Sequence, residues 1–180
     1  MSNYSLCLIT TFLIAMAPFS STAQYSDFTA EFVDRFLIHF EQSSDKLLQL
    51  ANEIPEELYE WSPDGEAMPF ATVFTHIARH NYTLPSLWLD VDIPDDIDID
   101  GMEEIMDKKE VIEILSRSVD HVKTHIPGVS EEQLMQPVTI FGDETKGWAT
   151  LFLLIAHMNE HVGQAISYSR LNGVVPPWSR

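Results

Sequence analysis

Six of the seven histidines in this chain fall in pairs four residues apart: His76 and His80, His121 and His125, His157 and His161. On a helix, that spacing puts both side chains on one face, about one turn apart. Two imidazoles so placed can share one divalent metal ion. The run His157-Met158-Asn159-Glu160-His161-Val162-Gly163-Gln164 is the most informative of the three. A third imidazole from the stretch Thr75-His76-Ile77-Ala78-Arg79-His80 would complete three nitrogen ligands. Three ligands leave a coordination position open for water or substrate, as a catalytic ion requires. Spacing does not choose between His76 and His80, and a site using both is an alternative. The competing reading is a set of core histidines satisfied by hydrogen bonds. His121 and His125 lie near a helix end, where a cation suits the macrodipole, and read as structural; His39 stands on another helix.

Other chemistries are poorly served. The one cysteine is Cys7, so beyond the N-terminal segment there is no thiol, disulfide or Cys-containing zinc site. Any metal must be held by nitrogen and oxygen. A zincin protease needs Glu directly after the first His as general base, and Met158 occupies that place. Glu160 adjoins His161 but points off the ligand face. His80, Asn159 and Glu160 are the nearby groups able to support the site or shuttle a proton, with His80 and Glu160 as the catalytic candidates. Neither a Gly-x-Ser-x-Gly elbow nor a phosphate-cradling glycine loop occurs. A second candidate ion site is Asp96-Ile97-Asp98-Ile99-Asp100-Gly101, which places acidic residues at positions 1, 3 and 5 of an EF-hand-like loop and Gly at 6. Position 12 is Asp107 in place of Glu, and Pro94 spoils an entering helix. Calcium at Asp96, Asp98 and Asp100 competes with a plain reading as an acidic, solvated loop.

The elements that must position these side chains are helices. Apolar residues from Phe28 to Leu50 recur at helical spacing, predicting a helix over Asp27–Asn52 that Pro55 ends. Pro69 opens a second helix, to about Leu89, that carries His76 and His80. Asp107 caps a third, over Asp107–Ile126, with Glu110 three residues on and Pro127-Gly128 as its stop. Ser130–Leu134 reads as a short helical turn and Val138–Phe141 as a short extended piece. A fourth long helix, Thr145–Leu171, carries His157 and His161 beside an apolar stripe, and Gly163 on it allows close approach of another backbone. Asn172-Gly173 and Pro176-Pro177 end it. Four long amphipathic helices with few strands give an all-α fold, a helical bundle.

The 180 residues suffice for one domain with a core, and 28 acidic against 10 basic residues give a net charge of −18. Nucleic acid and anionic membranes are poor partners for such a surface. Leu6–Ala17 is almost wholly apolar, and Ser21-Thr22-Ala23 has the small residues of a cleavage site. Residues 1–23 are therefore expected to be an export signal, with residues 24–180 as the mature domain, periplasmic or extracellular. The n-region lacks Lys and Arg, and an uncleaved anchor is the alternative; Pro18 and the shortness of the run argue against a span.

His76-Ile77-Ala78, the block His157-x-x-x-His161-x-Gly163-Gln164 and the tail Tyr168–Trp178 together resemble the DinB-like (DinB/YfiT) superfamily of metal-binding four-helix proteins. The resemblance spans about Tyr25 to the end. It implies a four-helix bundle of up-down-down-up order and a divalent ion, often zinc or nickel, on three histidines. Carried onto this chain, these are His76, His157 and His161. It also implies a metal-dependent hydrolase or a thiol-dependent transferase acting on a small molecule, and a homodimer. The alternative is a non-catalytic metal or ligand-binding protein linked to stress.

Overall fold

The computed structural model of the chain describes residues 21–180, and its side chains from position 27 onward. The predicted export segment lies outside the described residues apart from its last three positions, which open the first helix.

Among the described residues, five α-helices follow one another: α1 (Ser21–Glu53), α2 (Phe70–Leu89), α3 (Lys108–His125), the short α4 (Glu131–Met135) and α5 (Trp148–Leu171). Between α4 and α5 lies a hairpin of β1 (Pro137–Ile140) and β2 (Asp143–Lys146), antiparallel with Pro137 opposite Lys146. Its second strand corrects the expectation that the last helix starts at Thr145: that residue pairs with Val138, and the helix begins three residues later. The turn needs left-handed backbone at both Phe141 (φ 51°) and Gly142 (φ 94°), as a two-residue hairpin does.

The four long helices form a bundle in which each buries its apolar face against two others. α1 packs on α3 and α5, and α2 packs on the same two, so α1 and α2 stand on opposite corners. Their directions follow from named contacts. Phe32 of α1 meets Trp148 and Ser43 bonds Asn159, so α1 and α5 run the same way. Phe70 at the start of α2 meets Tyr168 near the end of α5, so these two are antiparallel. Lys108 at the start of α3 donates to the carbonyls of Asn52 and Ile54 at the end of α1, and Lys123 pairs with Glu41, so α3 opposes α1 and runs with α2. The Lys108 bonds also satisfy carbonyls that the end of α1 leaves without a helical partner.

The core is built from apolar side chains of all four: Phe40, Leu47 and Leu50 of α1, Phe70, Phe74 and Ile77 of α2, Leu115 and Val122 of α3, Leu151 and Met158 of α5. Asp107 caps α3 by accepting from the Glu110 amide at 3.0 Å. A complete capping box forms at α4, where Ser130 accepts from the Gln133 amide and the Gln133 side chain accepts from the Ser130 amide. The acidic connection between α2 and α3 is more than a solvated loop. Its aspartates alternate with Ile97 and Ile99, which pack on the core with Ile105 and Met106, and Met102 is fully buried in a 3-10 turn. Among the described residues, no helix is long and apolar enough to cross a membrane.

Candidate metal centre

α2 and α5 are antiparallel neighbours, so the pair His76/His80 on one faces the pair His157/His161 on the other. The Nε2 atom of His157 lies 3.1 Å from that of His76 and 3.2 Å from that of His161. The Nε2 of His157 thus stands within hydrogen-bond distance of two other imidazole nitrogens, one from each helix. His80 joins them from the other side, its ring 4.3 Å from those of both His76 and His157. His161 is buried and the other three are half-buried.

Hydrogen bonds at the far side of each ring decide where the protons sit. The Nδ1 of His76 is 2.9 Å from a carboxylate oxygen of Glu103, which can only accept from it at neutral pH. Gln164 donates its amide to the Tyr168 hydroxyl at 2.9 Å, and its carbonyl oxygen, 2.8 Å from the Nδ1 of His161, accepts from that ring. Both imidazoles therefore carry their proton on Nδ1 and present a bare Nε2. This carboxylate–histidine and amide–histidine support is the usual outer layer of a metal site. Only His157 remains to place a proton among three nitrogens, and one proton cannot satisfy two bare neighbours.

The residues present therefore fit a divalent ion. Two nitrogens bound to one tetrahedral zinc at about 2.0–2.1 Å stand roughly 3.3 Å apart, close to the 3.1 and 3.2 Å seen here. Burial, followed by the positive charges that His80, His161 and His76 would carry, pushes His157 down to about 3. Burial lowers His80 as well. Neutral imidazoles are what a metal requires of its ligands.

Among the described residues, the set whose three nitrogens lie mutually within 4.8 Å is His76, His80 and His157. Two ligand sets therefore overlap, sharing His76 and His157. They differ in the third ring: His161, whose Nε2 is 3.2 Å from that of His157, or His80, which completes the set with all nitrogens within 4.8 Å of one another.

The remaining candidates fall elsewhere. Glu160 is exposed, and Asn159 spends its side chain on Ser43 and the Ile155 carbonyl, tying α5 to α1. Gly163 is exposed and a Cβ there would meet nothing within 4 Å, so the expected close approach of a backbone is not made. The EF-hand-like carboxylates have other partners. Asp96 pairs with Arg117 at 2.6 Å, Asp98 accepts from the amides of Asp100 and Gly101, and Asp107 caps α3. Among the described residues, only imidazoles bring three metal-ligating side chains within 4.8 Å of one another. Glu103 was missed by sequence reasoning. It is 27 residues from His76, and the 3-10 turn that delivers it is anchored by the buried Met102.

The family model of the DinB superfamily matches residues 39–165, a range that contains all four imidazoles of the cluster. A crystal structure of a conserved protein from Enterococcus faecalis is similar, with a TM-score of 0.52 and 19% sequence identity, over 81% of this chain and 95% of that one. At that identity the likeness concerns the fold. No curated protein matches the chain.

Proposed function

The chain belongs to the DinB superfamily, and from that premise we propose that it holds one divalent metal ion, zinc or nickel, on the Nε2 atoms of His76, His157 and His161, and acts with it on a small molecule. The approach of the His157 Nε2 to those of His76 and His161, two rings whose proton Glu103 and Gln164 hold on Nδ1, carries the reading. A bound ion would supply Lewis acidity, lowering the pKa of a water or thiol so that it attacks at neutral pH. The protein's part is orientation. Glu103 and Gln164 fix the rings of His76 and His161, and burial keeps His157 neutral. Hydrolysis or transfer to a soft electrophile is the reaction class, and homodimerisation and export after Ala23 belong to the same proposal.

Elemental analysis of untagged protein purified without chelator tests the site. About one divalent ion per chain is expected, and none in His157→Ala. An ion content unchanged by the substitution would overturn the assignment. The export reading is checked by N-terminal sequencing of protein recovered outside the cytoplasm, with Gln24 expected as the first residue. The second reading, a metal-binding protein without turnover, is favoured if the loaded protein turns over no ester, amide or thiol substrate.

A further inference from the structure

His80 is more than a neighbour of the cluster. Its Nδ1 stands 2.9 Å from the backbone carbonyl of His76, a group that only accepts, so the ring carries its proton there. That leaves its Nε2 bare, in the arrangement typical of a metal-bound histidine whose second nitrogen is tied to a carbonyl. The ring lies 4.3 Å from both His76 and His157, and its nitrogens form with theirs a ligand set within 4.8 Å. The two i, i+4 pairs on antiparallel helices thus make four corners, with His76 and His157 close to one another and His80 and His161 at the outer ends.

We propose that His80 is a metal ligand, and that the cluster offers two overlapping three-nitrogen positions sharing His76 and His157, one closed by His161 and the other by His80. This rests on the metal-binding reading above and extends it. Each position leaves the fourth histidine as an internal donor, so an ion can exchange one imidazole for another while keeping three nitrogens. The donor set is then all imidazole, which suits zinc, nickel, copper and cobalt and disfavours magnesium and calcium.

The test is titration with Co2+ and Zn2+ of wild type, His80→Ala, His80→Asn, His161→Ala, the double variant His80→Ala/His161→Ala, and His157→Ala. Affinity is read by calorimetry, ligand field by the visible spectrum of the cobalt form, and folding by circular dichroism. Loss of His80 is expected to weaken affinity by at least about tenfold, the scale on which even outer support of a metal site is felt. It should also change the cobalt spectrum. His161→Ala should still bind, more weakly, through the position closed by His80, and the double variant should not. His80→Asn, which keeps a polar side chain in the same space, separates loss of a ligand from loss of packing: it should behave as His80→Ala. Overturning results are a His80→Ala protein with wild-type affinity and spectrum, or a folded His161→Ala protein as inert as His157→Ala. Those leave the three-histidine site standing. A wild-type protein that takes up neither ion removes both readings together.

Discussion

At the scale of single residues, the site is an arrangement of protons as much as of nitrogens. Each of His76, His80 and His161 has an acceptor on Nδ1, namely Glu103, the His76 carbonyl and Gln164. Replacing Glu103 with Gln keeps the shape and removes the charge, and the amide can then donate to His76 and turn its proton toward the cluster. Metal affinity is expected to fall roughly 10–100-fold, the usual loss for such outer partners, as measured by competition with a chromophoric chelator. An unchanged affinity would mean that Glu103 serves only its neighbour Arg79, 4.0 Å away.

At the scale of elements, two glycines on or beside α5 have opposite roles. A Cβ on Gly147 would lie 2.1 Å from the Gln133 carbonyl oxygen and 3.0 Å from Leu89, both parts of the packed junction of α4, the hairpin and α2. Gly147→Ala must push that backbone aside and should destabilise by about 1–3 kcal/mol, the cost of overpacking. Gly163→Ala meets open space on an exposed helical face, so it should stabilise by about 0.5–1 kcal/mol through backbone entropy and helix propensity. Urea unfolding of the two variants checks both, and equal effects of one sign would refute the distinction. The same junction explains why the hairpin was only half legible. Val138–Phe141 has strand-forming residues, whereas Asp143–Lys146 has none of the apolar alternation that marks a strand, and it pairs because the Phe141-Gly142 turn folds it back.

At the scale of the whole molecule, acid should unfold this protein through its buried histidines. His121 of α3, away from the metal centre, is almost fully buried against Tyr82 of α2, and its Nε2 has no partner. Burial, with a smaller push from His125, lowers it to about 4. The unfolded chain therefore binds this proton more readily than the folded one, and stability present above about 6.5 is lost progressively as pH falls toward 4. His121→Leu replaces an unpartnered polar ring with an apolar side chain. It should flatten the dependence of the melting temperature on pH across that window, measured with chelator present. A slope identical to wild type would show that other groups govern it.

Helical periodicity, capping residues and the i, i+4 spacings lie within single segments, so the sequence determined the four long helices, the pairing of imidazoles on one face of three of them, and the family to which the chain belongs. The Gln164 contact, three residues from His161, came only from the structure, although its spacing lies within the same helix. What no local pattern contains is which helix stands beside which. Only the packed bundle placed α2 antiparallel to α5, brought His76 within 3.1 Å of His157, carried Glu103 across 27 residues onto His76, and turned the aspartates of the α2–α3 connection to Arg117 and to their own backbone. The physical reason is that these contacts are selected by burial of apolar faces from distant segments, whose sum over the core settles neighbours and directions that each segment alone leaves free.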